Sequence, residues 1–146
     1  MLSLTHTIIS LPFGAYMDNP WLILAATTVF HFFADTILHW NIYPAKFKSY
    51  PYALVGLDIA SGVVAAWLLT GSQFLTIPIW AAIIGGNLPD ILQALWDFLD
   101  KRIKDTYLPA MKPIFTWHDR LQLETASPAI GLLSQGILIA TAIALI

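Results

Sequence analysis

Long apolar runs separated by short polar breaks dominate this chain, and most breaks carry the residues that start or end helices. From Ile59 to Pro89 there is no acidic or basic side chain, and Gly71-Ser72-Gln73 marks a turn within that run. The pattern predicts two apolar helices over residues 52–70 and 74–98, each near the ~20 residues that cross a bilayer core. A third runs from 20 to 40 and opens with Asp18-Asn19-Pro20, a polar cap followed by proline in the first turn. A fourth opens with Ser127-Pro128 and continues to residue 146 without a charge. The run from 4 to 17 is shorter, since ~14 residues at 1.5 Å each reach about 21 Å. It is expected either to span with help from its neighbours or to enter and stay shallow. The expected fold is all-α: a polytopic transmembrane bundle of about five segments, in a single domain covering residues 1–146.

Composition strengthens this reading. Apolar residues make up 58% of the chain and charged residues 11%, against about 25% charged in soluble domains, and the mean hydropathy is +0.70. So few charges cannot cover a water-facing surface, which excludes a soluble enzyme. Seven Lys and Arg against nine Asp and Glu also leave no basic footprint for nucleic acid. The chain has no cysteine, so disulfides and thiolate metal sites are excluded. Its first residues lack a basic stretch and a small-residue cleavage site, so no cleaved signal is expected. With five crossings, Lys46, Lys48, Lys101, Arg102, Lys104, Lys112 and Arg120 all fall on one side. The excess of basic residues in cytoplasmic loops then predicts a cytoplasmic amino terminus and an external carboxyl terminus. Trp40, Tyr43, Tyr50, Tyr52, Trp96, Tyr107 and Trp117 lie near that cytoplasmic boundary, where amphipathic rings settle. Residues 97–117 are expected to run along the membrane surface. Gly131 and Gly136 are not at GxxxG spacing and decide nothing about helix contacts.

Ionisable side chains inside apolar spans are costly and by default mark a site. His31, Asp35 and His39 lie on one predicted helix, Asp58 on the next and Asp90 on the one after, while His6 and His118 flank other segments. Counting rise per residue, Asp35, Asp58 and Asp90 all sit roughly 8–11 Å in from the cytoplasmic edge. Three acids at one depth suggest a shared site. The i, i+4, i+8 spacing of His31, Asp35 and His39 places them on one helical stripe, with ~12 Å of rise between the outer two. Either Asp35 bridges two ions, or His39 is left for proton transfer. Imidazole and carboxylate without thiol suit zinc, manganese or iron. In Gly85-Gly86-Asn87-Leu88-Pro89-Asp90 the proline is expected to break the helix, leaving a new helix start just before Asp90 whose freed amides are able to hold an anion.

Leu4-Thr5-His6, the stretch from His31 to Trp40, the lone Asp58, the run from Gly85 to Asp90 and Trp117-His118 together resemble small bacterial inner-membrane proteins of the YdjM type, described as membrane-bound metal-dependent hydrolases. The resemblance covers most of the chain, and it implies His6, His31, Asp35, Asp58, Asp90 and His118 as metal ligands. It also has departures: Asn41 stands where members commonly carry an acid, and Gln122 and Glu124 stand where many carry a further histidine. In a fainter likeness, the His-x-x-x-Asp step resembles the helical zinc-dependent phospholipase C and nuclease fold, which hydrolyses phosphate esters, and implies that chemistry only.

These readings lead to an expected membrane-embedded hydrolase of the cytoplasmic membrane, bacterial or archaeal, with one or two divalent ions, zinc foremost, and a water activated by the cation as nucleophile. His39 and Glu124 are the candidate proton carriers. Asn87 and Arg120 are the candidate substrate contacts, and Asp119 lies beside Arg120 at the expected mouth of the site. The partners expected are the bilayer and a lipid-borne phosphate ester or similar amphiphile, with self-association open. A proton- or metal-ion transporter and a non-catalytic protein with a structural metal stand as alternatives.

Overall fold

Each predicted apolar segment is a helix in the computed structural model, which describes residues 1–42 and 51–146, with side chains from 53 onward in the second stretch. Helix α1 is Ser3–Tyr16, α2 Pro20–Asp35, α3 Pro51–Thr70 and α4 Ile77–Phe98. Two shorter helices, α5 (Lys101–Tyr107) and α6 (Lys112–Leu121), precede α7 (Pro128–Ala144). The fold is all-helical among the described residues. The start signals act as read: Asn19 Oδ1 accepts the Trp21 and Leu22 amides at 3.0 and 3.2 Å, and Ser127 caps α7. Lys46, Lys48, Tyr43 and Tyr50, and the side chain of Tyr52, lie outside the described residues.

Helix α1 is the hub. It packs against α2, α3, α4 and α7, and every residue from Thr5 to Leu11 is buried. Its shortness goes with a central position among the other helices. The start of α1 is held by side chains of other helices. Both oxygens of Asp58 accept backbone amides, from Ser3 at 2.7 Å and Leu4 at 3.1 Å, and Gln135 Oε1 accepts from the Leu2 amide and the Thr5 hydroxyl.

Two expectations are corrected. Helix α4 runs unbroken through Pro89. Proline removes the amide that would have bonded the Gly85 carbonyl; that carbonyl lies 3.2 Å from the Thr28 hydroxyl, whose shorter bond is to the Leu24 carbonyl at 2.7 Å. A neighbouring hydroxyl of this kind lets a helix tolerate proline. With no new helix start before Asp90, there are no freed amides to hold an anion. The second correction is His39, which is not on the stripe of His31 and Asp35, because α2 ends at Asp35. The Asp35 carbonyl accepts the Leu123 amide, and His39 N–H donates to Leu123 O while His39 O accepts from Thr125. Both partners of the next helical bond are thus taken by the chain before α7. His39 and Glu124 face each other in a short parallel backbone pairing.

The distribution of polarity is inverted relative to a water-soluble protein. Thr5, His6, Thr27, His31, Asp35 and Gln135 are almost fully buried, whereas Trp21, Leu57, Leu68, Ile77, Leu133 and Ile137 are exposed. Among the described residues one helical stretch, Ala53–Leu75, is long and apolar enough to cross a membrane, while α2 and α7 are apolar but shorter.

Candidate metal centre

Two adjacent glycines let three helices approach closely enough to build the site. A Cβ on Gly85 would overlap Thr27 and Leu24 of α2, and one on Gly86 would overlap Ser10 and the His6 carbonyl of α1. The pair therefore works through close packing in a continuous helix. His6 from α1, His31 and Asp35 from α2, and Asp90 from α4 converge at this junction. The fourth element is α6, on which His118 is the one buried residue. Trp96 stacks on Phe115 at 4.6 Å and Phe32 meets Trp117 at 5.2 Å, which docks α6 with His118 turned inward.

His31, Asp35, Asp90 and His118 each offer one ligand atom, all within 4.8 Å of one another. His31 Nε2 is 3.0 Å from Asp35 Oδ2, 3.6 Å from Asp90 Oδ1 and 3.3 Å from His118 Nε2. His118 Nε2 is 3.4 Å from Asp35 Oδ2 and 3.7 Å from Asp90 Oδ1. Zinc bonded to nitrogen and oxygen at about 2.0–2.1 Å has tetrahedral ligand–ligand edges near 3.3 Å. The five distances above, 3.0–3.7 Å, are close to that size, and all four atoms lie within 4.8 Å of one another.

The outer contacts of the rings decide where the lone pairs point. His31 Nδ1 lies 2.7 Å from the Gly86 carbonyl and His118 Nδ1 lies 3.3 Å from Gln93 Oε1. Both partners are acceptors, which favours the Nδ1–H tautomer of each ring and leaves Nε2 facing the carboxylates. In that tautomer the two Nε2 atoms and the two carboxylate oxygens face one another as acceptors, with Gln122 Nε2 placed to donate to His118 Nε2 at 3.4 Å. One added proton serves one pair, and two would set N–H groups head-on. A divalent cation satisfies all four. Asp35, His31 and His118 are buried while the Asp90 side chain is 31% exposed, so access runs past Asp90.

The other candidate residues have different surroundings. His6 Nε2 is 3.2 Å from Asp35 Oδ1, its ring stacks on His31 at 3.9 Å, and its buried Nδ1 has no hydrogen-bond partner. The Met1 nitrogen lies 3.0 Å from the same Asp35 oxygen. Asp58 is engaged with the α1 amides. Asn87 donates to Thr7 and to the Ile83 carbonyl and accepts from Ser3, so its amide is used in packing. His39 is fully buried, with Nδ1 against the Ile37 carbonyl and Nε2 without a partner. Glu124, opposite it, is half-buried; burial lifts its carboxyl above the ordinary range, and a hydrogen bond from Asn41 opposes the rise. Arg120 is exposed and, with Lys112, Thr116 and Trp117, lines a shallow groove of about 380 Å³ on α6. Asp119, beside it, is also raised, by partial burial and then by Asp97.

Gln93 and Gln122 belong to the site but are not among the candidates read from sequence. Gln122 Nε2 lies 3.4 Å from His118 Nε2. Gln93 follows Asp90 by three positions, one helical turn, in a largely apolar run, and that spacing was the available signal. No family model matches this chain, and neither a curated protein nor a solved structure matches it.

Proposed function

We propose that this protein is a membrane-embedded, metal-dependent hydrolase whose active centre is the His31–Asp35–Asp90–His118 cluster. The carrying observation is the set of four buried or half-buried acceptor atoms at spacings close to those around zinc, with both imidazole tautomers favoured by outer acceptors. Two neutral imidazoles and two carboxylates balance the charge of one divalent ion, and a donor set of nitrogen and oxygen without sulfur suits zinc in a hydrolytic role. A cation bound there supplies Lewis acidity, polarising a substrate oxygen and acidifying water.

The chain's own residues do the rest. The Gly86 carbonyl and Gln93 orient the two imidazoles, and Gln122 borders the same space. Asp90 forms the open wall through which substrate and water arrive. His39, fully buried, and Glu124, half-buried, are joined through their backbones on the segment that follows Asp35, and in this reading they are the proton carriers. On the outside, Lys112 and Arg120 flank Trp117 on the same helix as His118, which suits an anionic head group whose chains lie in the bilayer. The inverted polarity and the one-sided placement of the basic residues support a five-segment membrane bundle with its amino terminus in the cytoplasm. The substrate class is then a lipid-borne phosphate ester in the inner leaflet.

The test is metal content of the detergent-purified chain together with hydrolysis of nitrophenyl phosphodiesters and short-chain phospholipids. At least one zinc-class ion per chain is expected, with turnover abolished in Asp35→Ala. A metal-free, inactive wild type after loading with zinc and manganese overturns the reading.

A further inference from the structure

Asp35 and Asp90 each show a second oxygen to a second histidine. One oxygen of each carboxylate, Asp35 Oδ2 and Asp90 Oδ1, faces the His31 and His118 pair. The other oxygens, Asp35 Oδ1 and Asp90 Oδ2, face His6 Nε2 at 3.2 and 3.9 Å. His6 and His31 are stacked almost parallel, 19° apart in plane and 3.9 Å between centroids. Two imidazoles are thus held side by side, each addressing its own edge of the same two carboxylates. Two-metal hydrolytic sites hold their ions about 3.5–4 Å apart, a separation that two rings stacked with centroids 3.9 Å apart can serve.

We infer that the centre binds two divalent cations, bridged by Asp35 and Asp90, the second held by His6. The inference rests on the proposed metal-dependent reading and extends it from one ion to a pair. The pair suits phosphate esters, because two cations can hold the attacking and the leaving oxygen of an in-line displacement. The positions are not equal. His31 Nδ1 and His118 Nδ1 meet the Gly86 carbonyl and Gln93, while His6 Nδ1 has no partner. Outer-shell partners of ligating histidines are worth roughly 10–100-fold in affinity, so the His6 position is the weaker one.

The experiment uses the full chain in detergent, stripped with chelator and titrated with Mn²⁺ alone, followed by electron paramagnetic resonance and by metal analysis. Two equivalents are expected, the second binding at least ~10-fold more weakly, with an exchange-coupled spectrum appearing as it fills. His6→Gln should bind one equivalent and show only the isolated-ion spectrum. Saturation of wild type at one equivalent with no coupled signal overturns the second position and leaves the single-ion reading standing. No binding at all overturns both. Two equivalents retained in His6→Gln also overturns the assignment. Because the wild-type titration alone distinguishes one ion from two, the result does not depend on the variant folding.

Discussion

At the residue scale, similar side chains are separated by what they touch. Asp35 and Asp58 are both acids within apolar segments, but Asp35 meets imidazoles and Asp58 meets two amides at the start of α1. Asp58→Ala is expected to cost about 1–2 kcal/mol, as for a lost helix cap, with metal stoichiometry unchanged; denaturant unfolding and metal analysis read the two effects. Gln93→Ala removes an outer partner of His118 and is expected to weaken metal binding ~10–100-fold, measured in metal-buffered titrations. Glu124 bears on pH dependence. An acid whose folded pKa is raised holds its extra stability only below the unfolded value, and that stability is lost as pH rises through the folded one. From the ordinary value of 4.5 upward, wild type should therefore lose stability relative to Glu124→Gln, seen as diverging melting temperatures in a pH series.

At the scale of elements, closeness is set by side chains too small to see as signals in isolation. Gly86 sits where a Cβ meets Ser10 and the His6 carbonyl, whereas Gly136 has open space around it. Gly86→Ala is expected to destabilise by ~1–3 kcal/mol through overpacking, and to lower metal affinity by moving His6 and His31. Gly136→Ala is expected to be stabilising by roughly 0.5–1 kcal/mol, because alanine favours the helix and meets no obstacle. Thermal unfolding of the two variants should shift in opposite directions. Gly131, which by spacing decided nothing, lies against the backbone of His39 and Trp40. There Ser134 donates to the Leu38 carbonyl and Gln135 to that of Trp40 at 2.9 Å. Helix α7 thus holds the segment that carries His39.

At the scale of the whole molecule, a polar interior inside an apolar exterior makes orientation measurable. The chain lacks cysteine, so single-cysteine variants report without background. On the proposed topology, Asp105→Cys is expected to react with an impermeant maleimide only from the cytoplasmic face, and Ser72→Cys only from the opposite face. The helices themselves were legible from sequence, because length, apolar content and Asn19-Pro20 or Ser127-Pro128 start signals are local properties of the chain. So was the idea that buried histidines and acids share a site, since the cost of burying charge holds whatever the partners are. Which residues meet was not legible. Asp35 and Asp90 are brought together by a glycine pair and a docked amphipathic helix, while Asp58, at the same estimated depth, turns to cap α1. Pro89 predicted a break that α4 does not show, with the Thr28 hydroxyl of α2 beside the Gly85 carbonyl, and His39 left its stripe where a distant segment supplies the backbone partners. Chain-local chemistry dictated the elements and the kinds of groups they bury; the choice of partners waited on packing, because hydrogen bonds and ligand distances depend on through-space approach that sequence separation does not encode.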